Sequence, residues 1–230
     1  MFLNHSKQQL SEIRSNKRVP FRAFQGIAWL SSIVVLFWIF QGVRARLSHR
    51  HNIDTPAYSL PLAMSGGNPH VRALMRTISA SESDGRNAYA LLYGGSHVHD
   101  LNQHPDQCLT IEVGVNKGLC STAAGRYQFL TPTWQEKANS YHPAPLWTDD
   151  SLSYSFAPEY QDEVMYRWLN DYYEWDIDII TMLEEDRVEE VLTYLSGVWT
   201  SLGGGIEDNE NTPYLPTLYR QFLAEELASV

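Results

Sequence analysis

The sequence predicts an α+β domain, mainly helical with a small antiparallel β element, preceded by one N-terminal transmembrane helix. Three observations predict it. Apolar residues recur at helical spacing through most of the chain after residue 68. Two short β-like runs bounded by glycines follow the first of these helices, and helices segregated from a little antiparallel sheet make an α+β arrangement. Finally, residues 26–43 form one unbroken apolar run near the N-terminus.

The head of the chain divides by charge. Residues 1–59 carry eight Lys/Arg against two acids, whereas the remainder carries nine against twenty-five, within a net charge of −10. A basic head on an acidic body argues against nucleic-acid binding and points to membrane targeting. The eighteen residues of 26–43 would span roughly 27 Å as a helix, the short end of what crosses a bilayer. Trp29 and Trp38 lie toward its two ends, where interfacial aromatics sit. Five basic residues precede the run and three follow it, which favours a cytoplasmic N-terminus and an extracytoplasmic body. A cleavable signal peptide is the rival reading, with small residues at Val43 and Ala45, but the flanking arginines and long leader count against it. The chain thus divides into a basic segment (1–25), an anchor (26–43), a tether rich in His, Ser and Pro (44–66) and a body (67–230) of 164 residues, enough for one core.

The body opens on a helix over residues 69–82. Asn68 suits the N-cap and Pro69 the first helical position. Val71, Leu74, Met75 and Ile78 make one buried stripe, and Glu82 follows four residues later on the same face. Ser83, Asp84 and Gly85 are stop residues. A carboxylate at the end of an apolar stripe and at the negative end of a helix dipole is expected to hold its proton more tightly. Such a group suits a general acid that cleaves a glycosidic bond.

Residues 88–95 and 108–113 are the β-like runs, expected to pair with each other. The loop between them carries His97, His99, Asp100 and His104, which are zinc-competent types but match no zinc spacing, so no metal or other cofactor is expected. Cys108 and Cys120 flank Gly114 and Gly118. They either close a disulfide across that turn, as an extracytoplasmic body would allow, or stay as two buried thiols.

The rest is helical. Thr131-Pro132 caps and opens one helix; Pro158 opens another, with Val164, Met165, Trp168, Leu169 and Tyr172 at core spacing. Asp178 and Asp186 cap two shorter helices, the second burying Val188, Val191, Leu192 and Leu195. Pro216 begins a last helix through Leu218, Phe222 and Leu227. Seven Trp and thirteen Tyr supply core, and permit a cleft that stacks on sugar rings.

With these pieces placed, residues 71–205 resemble the family of phage lambda lysozyme, muramidases of the lytic transglycosylase type. The matching pieces come in order: Ser81-Glu82 with Asp84-Gly85-Arg86, Tyr93-Gly94-Gly95, His104-Pro105, the octapeptide STAAGRYQ (residues 121–128), Gln161-Asp162, and Trp199-Thr200-Ser201-Leu202. The resemblance implies a lysozyme-like fold and Glu82 as the catalytic acid. It implies cleavage of the β-1,4 bond between N-acetylmuramic acid and N-acetylglucosamine in peptidoglycan, closing a 1,6-anhydro ring without water. Tyr93, Asp100, Arg126, Tyr127, Gln128 and Trp199 are the implied substrate-binding residues. Two alternatives stand beside the lyase. A hydrolase would need a second carboxylate, with Asp84, Asp100 and Asp106 as candidates, about 5–5.5 Å away for retention or 6.5–9.5 Å for inversion. A glycan-binding module without catalysis would not need Glu82. The membrane segment departs from soluble endolysins and suggests a tethered wall-remodelling enzyme.

Overall fold

The computed structural model describes residues 59–83, 87–112, 114, 116–148, 151–203 and 212–229. The apolar run 26–43 and Asp84 lie outside them; among the described residues no helix is long and apolar enough to cross a membrane. The unit Pro56–Val230 contains seven helices and two short hairpins among the described residues.

Helix α1 (Pro69–Glu82) is the axis. The Asn68 side chain accepts the His70 N–H at 2.8 Å, so one of the orphan amide donors at the helix start is satisfied. Val71, Leu74, Met75 and Ile78 are fully buried; each such side chain contributes about 1.5–3 kcal/mol relative to exposure. The opposite face is buried too, by charge. Arg72 Nε lies 2.5 Å from Glu226 Oε2, and Arg76 reaches Glu226 Oε1 at 3.1 Å and Glu225 Oε2 at 2.6 Å. The Arg76 guanidinium also lies over the Phe222 ring, 4.4 Å from its centroid. These acids belong to α7 (Leu215–Ala228), which buries Leu215, Leu218, Tyr219, Phe222 and Glu226 against α1. The face that meets α1 is set by that run, so Leu227, expected in the core, points outward and is 54% exposed.

The β element differs from expectation. Residues 88–90 and 93–95 are single 3-10 turns, and Gly94 at φ 79° bends the chain back, a conformation open to glycine at low cost. Leu91 therefore bridges His97, and Leu92 bridges Ala124. The run after Cys108 pairs instead within its own hairpin, β1 (Leu109–Thr110) against β2 (Cys120–Ser121), with Leu109 opposite Ser121. Cys108 and Cys120, with Cα atoms 5.3 Å apart, are joined in a disulfide at the base of that hairpin. A second hairpin, β3 (Leu146–Thr148) with β4 (Ser151–Ser153), was not foreseen.

The remaining helices are α2 (Thr131–Tyr141), α3 (Pro158–Leu169), α4 (Tyr172–Trp175), α5 (Ile179–Glu184) and α6 (Val188–Leu195). Asp178 caps α5 through the Thr181 N–H at 3.0 Å. Two other expected caps are spent elsewhere. Thr131 is already inside α2, and its hydroxyl donates to Asp106 Oδ1 at 2.7 Å. Asp186 accepts Arg220 Nε at 3.2 Å, leaving Arg187 at the cap of α6. Tyr172 begins α4 after the turn at Asp171 rather than continuing the α3 stripe, and is exposed. Residues 59–66, read as tether, belong to the domain: Leu62 and Met64 are in its core.

Two histidines are locked in one tautomer. His104 Nε2–H donates to Phe129 O at 2.8 Å while Nδ1 accepts the Asp106 N–H at 3.1 Å. His142 repeats the pattern with Ser155 O and Ala144 N, both at 3.1 Å. Burial lowers both below the usual 6.5, and protonation would also cost each its accepted bond. Their contribution is therefore present above about pH 6.5 and lost as pH falls toward the lowered folded value, by at most about 1.4 kcal/mol per pH unit for each ring. The double variant His104→Asn/His142→Asn is expected to be less stable than wild type at pH 7.5, with the gap in unfolding free energy closing by pH 5.5. A gap that stays constant in urea titrations across that range would refute the assignment.

Candidate active site

Glu82 is the last residue of α1 and is half-buried. Its Oε1 accepts the Ser201 hydroxyl, which comes from the 3-10 turn Thr200–Leu202. Ser201 Oγ also lies 3.0 Å from Ser81 Oγ, and Ser81 in turn donates to Ile78 O at 2.9 Å. The next residue, Ser83, is extended and buried; its hydroxyl is 3.0 Å from both Ser79 O and Arg126 O. That bond sets the end of α1 directly beside residues 125–128.

The turn over 125–128 is over-determined. Gly125 has φ +75°, and a Cβ there would collide with the Gln161 carboxamide and come within 2.7 Å of the Phe156 ring. Glycine is required on both counts. Gln161 Oε1 accepts the Arg126 N–H at 2.9 Å, and its Nε2 donates to Tyr89 O and Phe156 O. Gln128 adopts φ 48°, and its Nε2 donates to Gly125 O at 2.9 Å. The strand-like flanks are fixed by the Tyr93 N–H on Ala123 O and the Gly125 N–H on Leu91 O.

Beneath the turn lies a buried charge network. Asp162, on α3, accepts Tyr127 OH on Oδ1; its Oδ2 accepts Tyr89 OH at 2.7 Å and the backbone N–H groups of Ala63 and Met64 at 2.6 and 3.2 Å. Arg126 donates to Ser79 Oγ, Ser59 Oγ, Pro61 O, Leu60 O and Tyr89 OH. Tyr89 thus sits between the two charges, accepting from one and donating to the other. Burial pushes the Asp162 carboxyl up, against the pull of Arg126 and the phenols. Burial, and then the Asp162 charge, push both phenols well above their ordinary value, so each remains a donor.

This network corrects three of the implied substrate contacts. Arg126 is 1% exposed and Tyr127 is fully buried, with their polar atoms turned into the domain. Trp199 is buried in a cluster with Trp168 and Trp175, ring centroids 5.2–6.3 Å apart, and its indole N–H donates to Tyr127 O. All three hold the site from below. Tyr93 and Gln128 are half-buried, and Asp100 is exposed in its loop, accepting the Asn102 N–H. Among the described residues no group of His, Cys, Asp and Glu is placed to hold a metal ion. Ser201, Tyr89 and Asp162 were missed as site residues. Tyr89 carries no local signal, since its partner lies 73 residues away in the chain, whereas Ser201 and Asp162 fall within the matched segments 199–202 and 161–162.

Removing the Tyr127 hydroxyl leaves a buried carboxylate one donor short. Tyr127→Phe is expected to lower the unfolding free energy by about 1–3 kcal/mol without changing the affinity for a glycan oligosaccharide. Lost affinity at unchanged stability would return Tyr127 to the cleft.

A family model described as Endolysin matches residues 72–225. No curated protein matches the chain. Among solved structures, bacteriophage lambda lysozyme complexed with a chitohexasaccharide is similar at a TM-score of 0.54 and 23% identity, over 69% of this chain and 97% of that one. A second structure, lysozyme from bacteriophage lambda, is 19% identical over 72% and 97%, with a TM-score of 0.48. The first likeness speaks to fold. The family model spans well over half of the chain and takes in both Glu82 and the Gly125 turn, and on that ground the chain belongs to the endolysin family and is a lysozyme-like glycosidase.

Proposed function

We propose that this chain cleaves the β-1,4 bond between N-acetylmuramic acid and N-acetylglucosamine in peptidoglycan as a lytic transglycosylase, with Glu82 as both acid and base. The observation that carries the proposal is the hydroxyl chain behind Glu82. Ionised, Glu82 accepts from Ser201. Protonated, it can donate to Ser201, which donates to Ser81, which donates to Ile78 O. Both protonation states are satisfied without moving a side chain.

That suits a two-stage reaction through one carboxyl. Glu82 gives its proton to the leaving O4 of N-acetylglucosamine as the C1–O4 bond breaks and positive charge builds at C1 of the muramic residue. The resulting carboxylate takes the proton of that residue's C6 hydroxyl, and O6 closes on C1. Glu82 ends protonated, as it began, and no water is consumed. Of the three candidates for a second carboxylate, Asp84 lies outside the described residues, Asp106 is bound by Thr131, and Asp100 turns its own loop, and the last two placements support the lyase. Half-buried Gln128 and Tyr93 remain the residues best placed to meet an N-acetyl group and a sugar face.

We further propose that residues 26–43 anchor the chain in the bacterial cytoplasmic membrane with the domain on the extracytoplasmic side. Their apolarity and the basic residues on the N-terminal side support this.

Muropeptides released from purified peptidoglycan by the full chain are expected to carry anhydro ends in mass spectra, and Glu82→Gln to lower the rate by at least about 10²-fold. Reducing ends would assign hydrolysis instead; intact binding without products would leave a glycan-binding module. Ser201→Ala is expected to lower kcat by roughly tenfold at unchanged KM, the scale of one hydrogen bond to a charged group.

A further inference from the structure

A groove of about 710 Å³ runs between α2 and the β3–β4 hairpin, and none of the residues at the Glu82 end of α1 lines it. It adjoins a smaller hollow of about 420 Å³, the two sharing Gln103 and His104. Among the described residues no lysine or arginine lines either one. The nearby Lys137 is turned inward onto Glu136, Glu174 and the Trp168 ring. What faces the larger groove is a set of hydrogen-bonding groups held in fixed orientation. Thr131 OH holds Asp106 through Oδ1, leaving the carboxylate's other oxygen to accept. Tyr154 OH donates to Asn139 Oδ1 at 2.9 Å, so the Asn139 amide presents its N–H groups outward.

The wall beside these groups carries Trp147. Four of the five tryptophans among the described residues are buried; Trp147 is 76% exposed. Trp147 stands directly opposite Leu152 in the hairpin, and directly opposed residues of an antiparallel pair share a face. Leu152 lines the groove, as do Ser153 and Tyr154 after it, so Trp147 stands on the hairpin that forms the groove wall, paired with a residue of that wall. A large exposed indole next to an otherwise polar concavity is a feature of binding surfaces.

We propose that this groove is a second, non-catalytic site for a glycan strand of N-acetyl amino sugars. The inference rests on the glycosidase reading for its choice of ligand. Sugar hydroxyls would donate to Asp106, an N-acetyl carbonyl would accept from Asn139, and Trp147 would cover the apolar face of a ring. A neutral ligand fits a lining that has acceptors, amides and an aromatic plate but no cation. The site would hold the chain on its polymeric substrate between cleavages.

The test uses the full chain with Glu82→Gln, so that nothing is cut, and measures retention on insoluble peptidoglycan with chitohexaose as competitor. Trp147→Ala and, separately, Asn139→Ala are each expected to lower retention about fivefold, the size of one aromatic or amide contact. Chitohexaose is expected to shift the Trp147 indole N–H signal in NMR spectra. With Glu82 restored, Trp147→Ala is expected to cleave short soluble glycan strands of alternating N-acetylmuramic acid and N-acetylglucosamine within twofold of wild type. Retention unchanged in both variants overturns the proposal. So does retention that collapses with salt and ignores chitohexaose, which would mark a cationic peptide ligand, and so does an equal loss of cleavage of the short soluble strands, which would make the groove part of the catalytic cleft. If the wild type yields no cleavage products yet Trp147→Ala still loses retention, the glycosidase reading fails and the groove stands.

Discussion

The arrangement depends on one buried carboxylate. A charge such as Asp162 cannot sit in a domain interior unless donors surround it, and the donors it gathers come from three places in the chain. Ala63 and Met64 supply backbone N–H groups, Tyr89 and Tyr127 supply hydroxyls, and the carboxylate itself rides on α3. Tyr89 passes the connection to Arg126, whose guanidinium gathers residues 59–61 and Ser79 of α1. Satisfying one charge therefore fixes where the domain's first segment, the 125–128 turn and two helices meet. The Arg126 carbonyl, on the other side of the same residue, meets Ser83 and ends α1 where Glu82 must stand.

Helix α1 is consequently enclosed on several sides by different physics. Its apolar stripe is held by core burial. Arg72 and Arg76 are held by Glu225 and Glu226 of α7, where desolvation is offset by paired carboxylates, carbonyls and the Phe222 ring. Ser79 and Ser83 are held by the Arg126 network. A helix fastened this way leaves its last turn little freedom, which a general acid needs if its proton is to meet one particular oxygen.

Much of this was legible in the chain, and the limits are physical. Asn68, Pro69, the stripe at Val71 to Ile78 and the stop at Ser83 are local signals, so the helix bearing Glu82 could be read to its ends. Val188, Val191, Leu192 and Leu195 behaved the same way. Local reading failed wherever a side chain had a distant competitor. Thr131 and Asp186 have the right chemistry for caps, but Asp106 and Arg220 engage them instead. Residues 88–95 have β-like composition, yet Gly94 turns the chain back before a strand can form, and the pairing goes to His97 and Ala124. Motif matching located Arg126, Tyr127 and Trp199 at the site but could not assign them a side of it. An aromatic or an arginine in a motif looks the same whether it faces a ligand or a buried aspartate 35 residues away.

The division between what faces inward and what faces outward also bears on the chemistry. Asp162, Arg126 and the two phenols below the 125–128 turn are each engaged by other buried groups, and the hydroxyls of Ser201 and Ser81 beside Glu82 have two ways to be satisfied. A hydroxyl can donate to a carboxylate or accept from a carboxylic acid by rotation about one bond, whereas a guanidinium can only donate. A residue that must give up a proton and take another back within one turnover gains from such a neighbour, because neither protonation state strands a buried polar atom. In the mechanism we propose, a rigid frame beneath the site and a rotatable hydroxyl beside Glu82 are complementary: the frame would set where the proton goes, and the hydroxyl would let it leave and return.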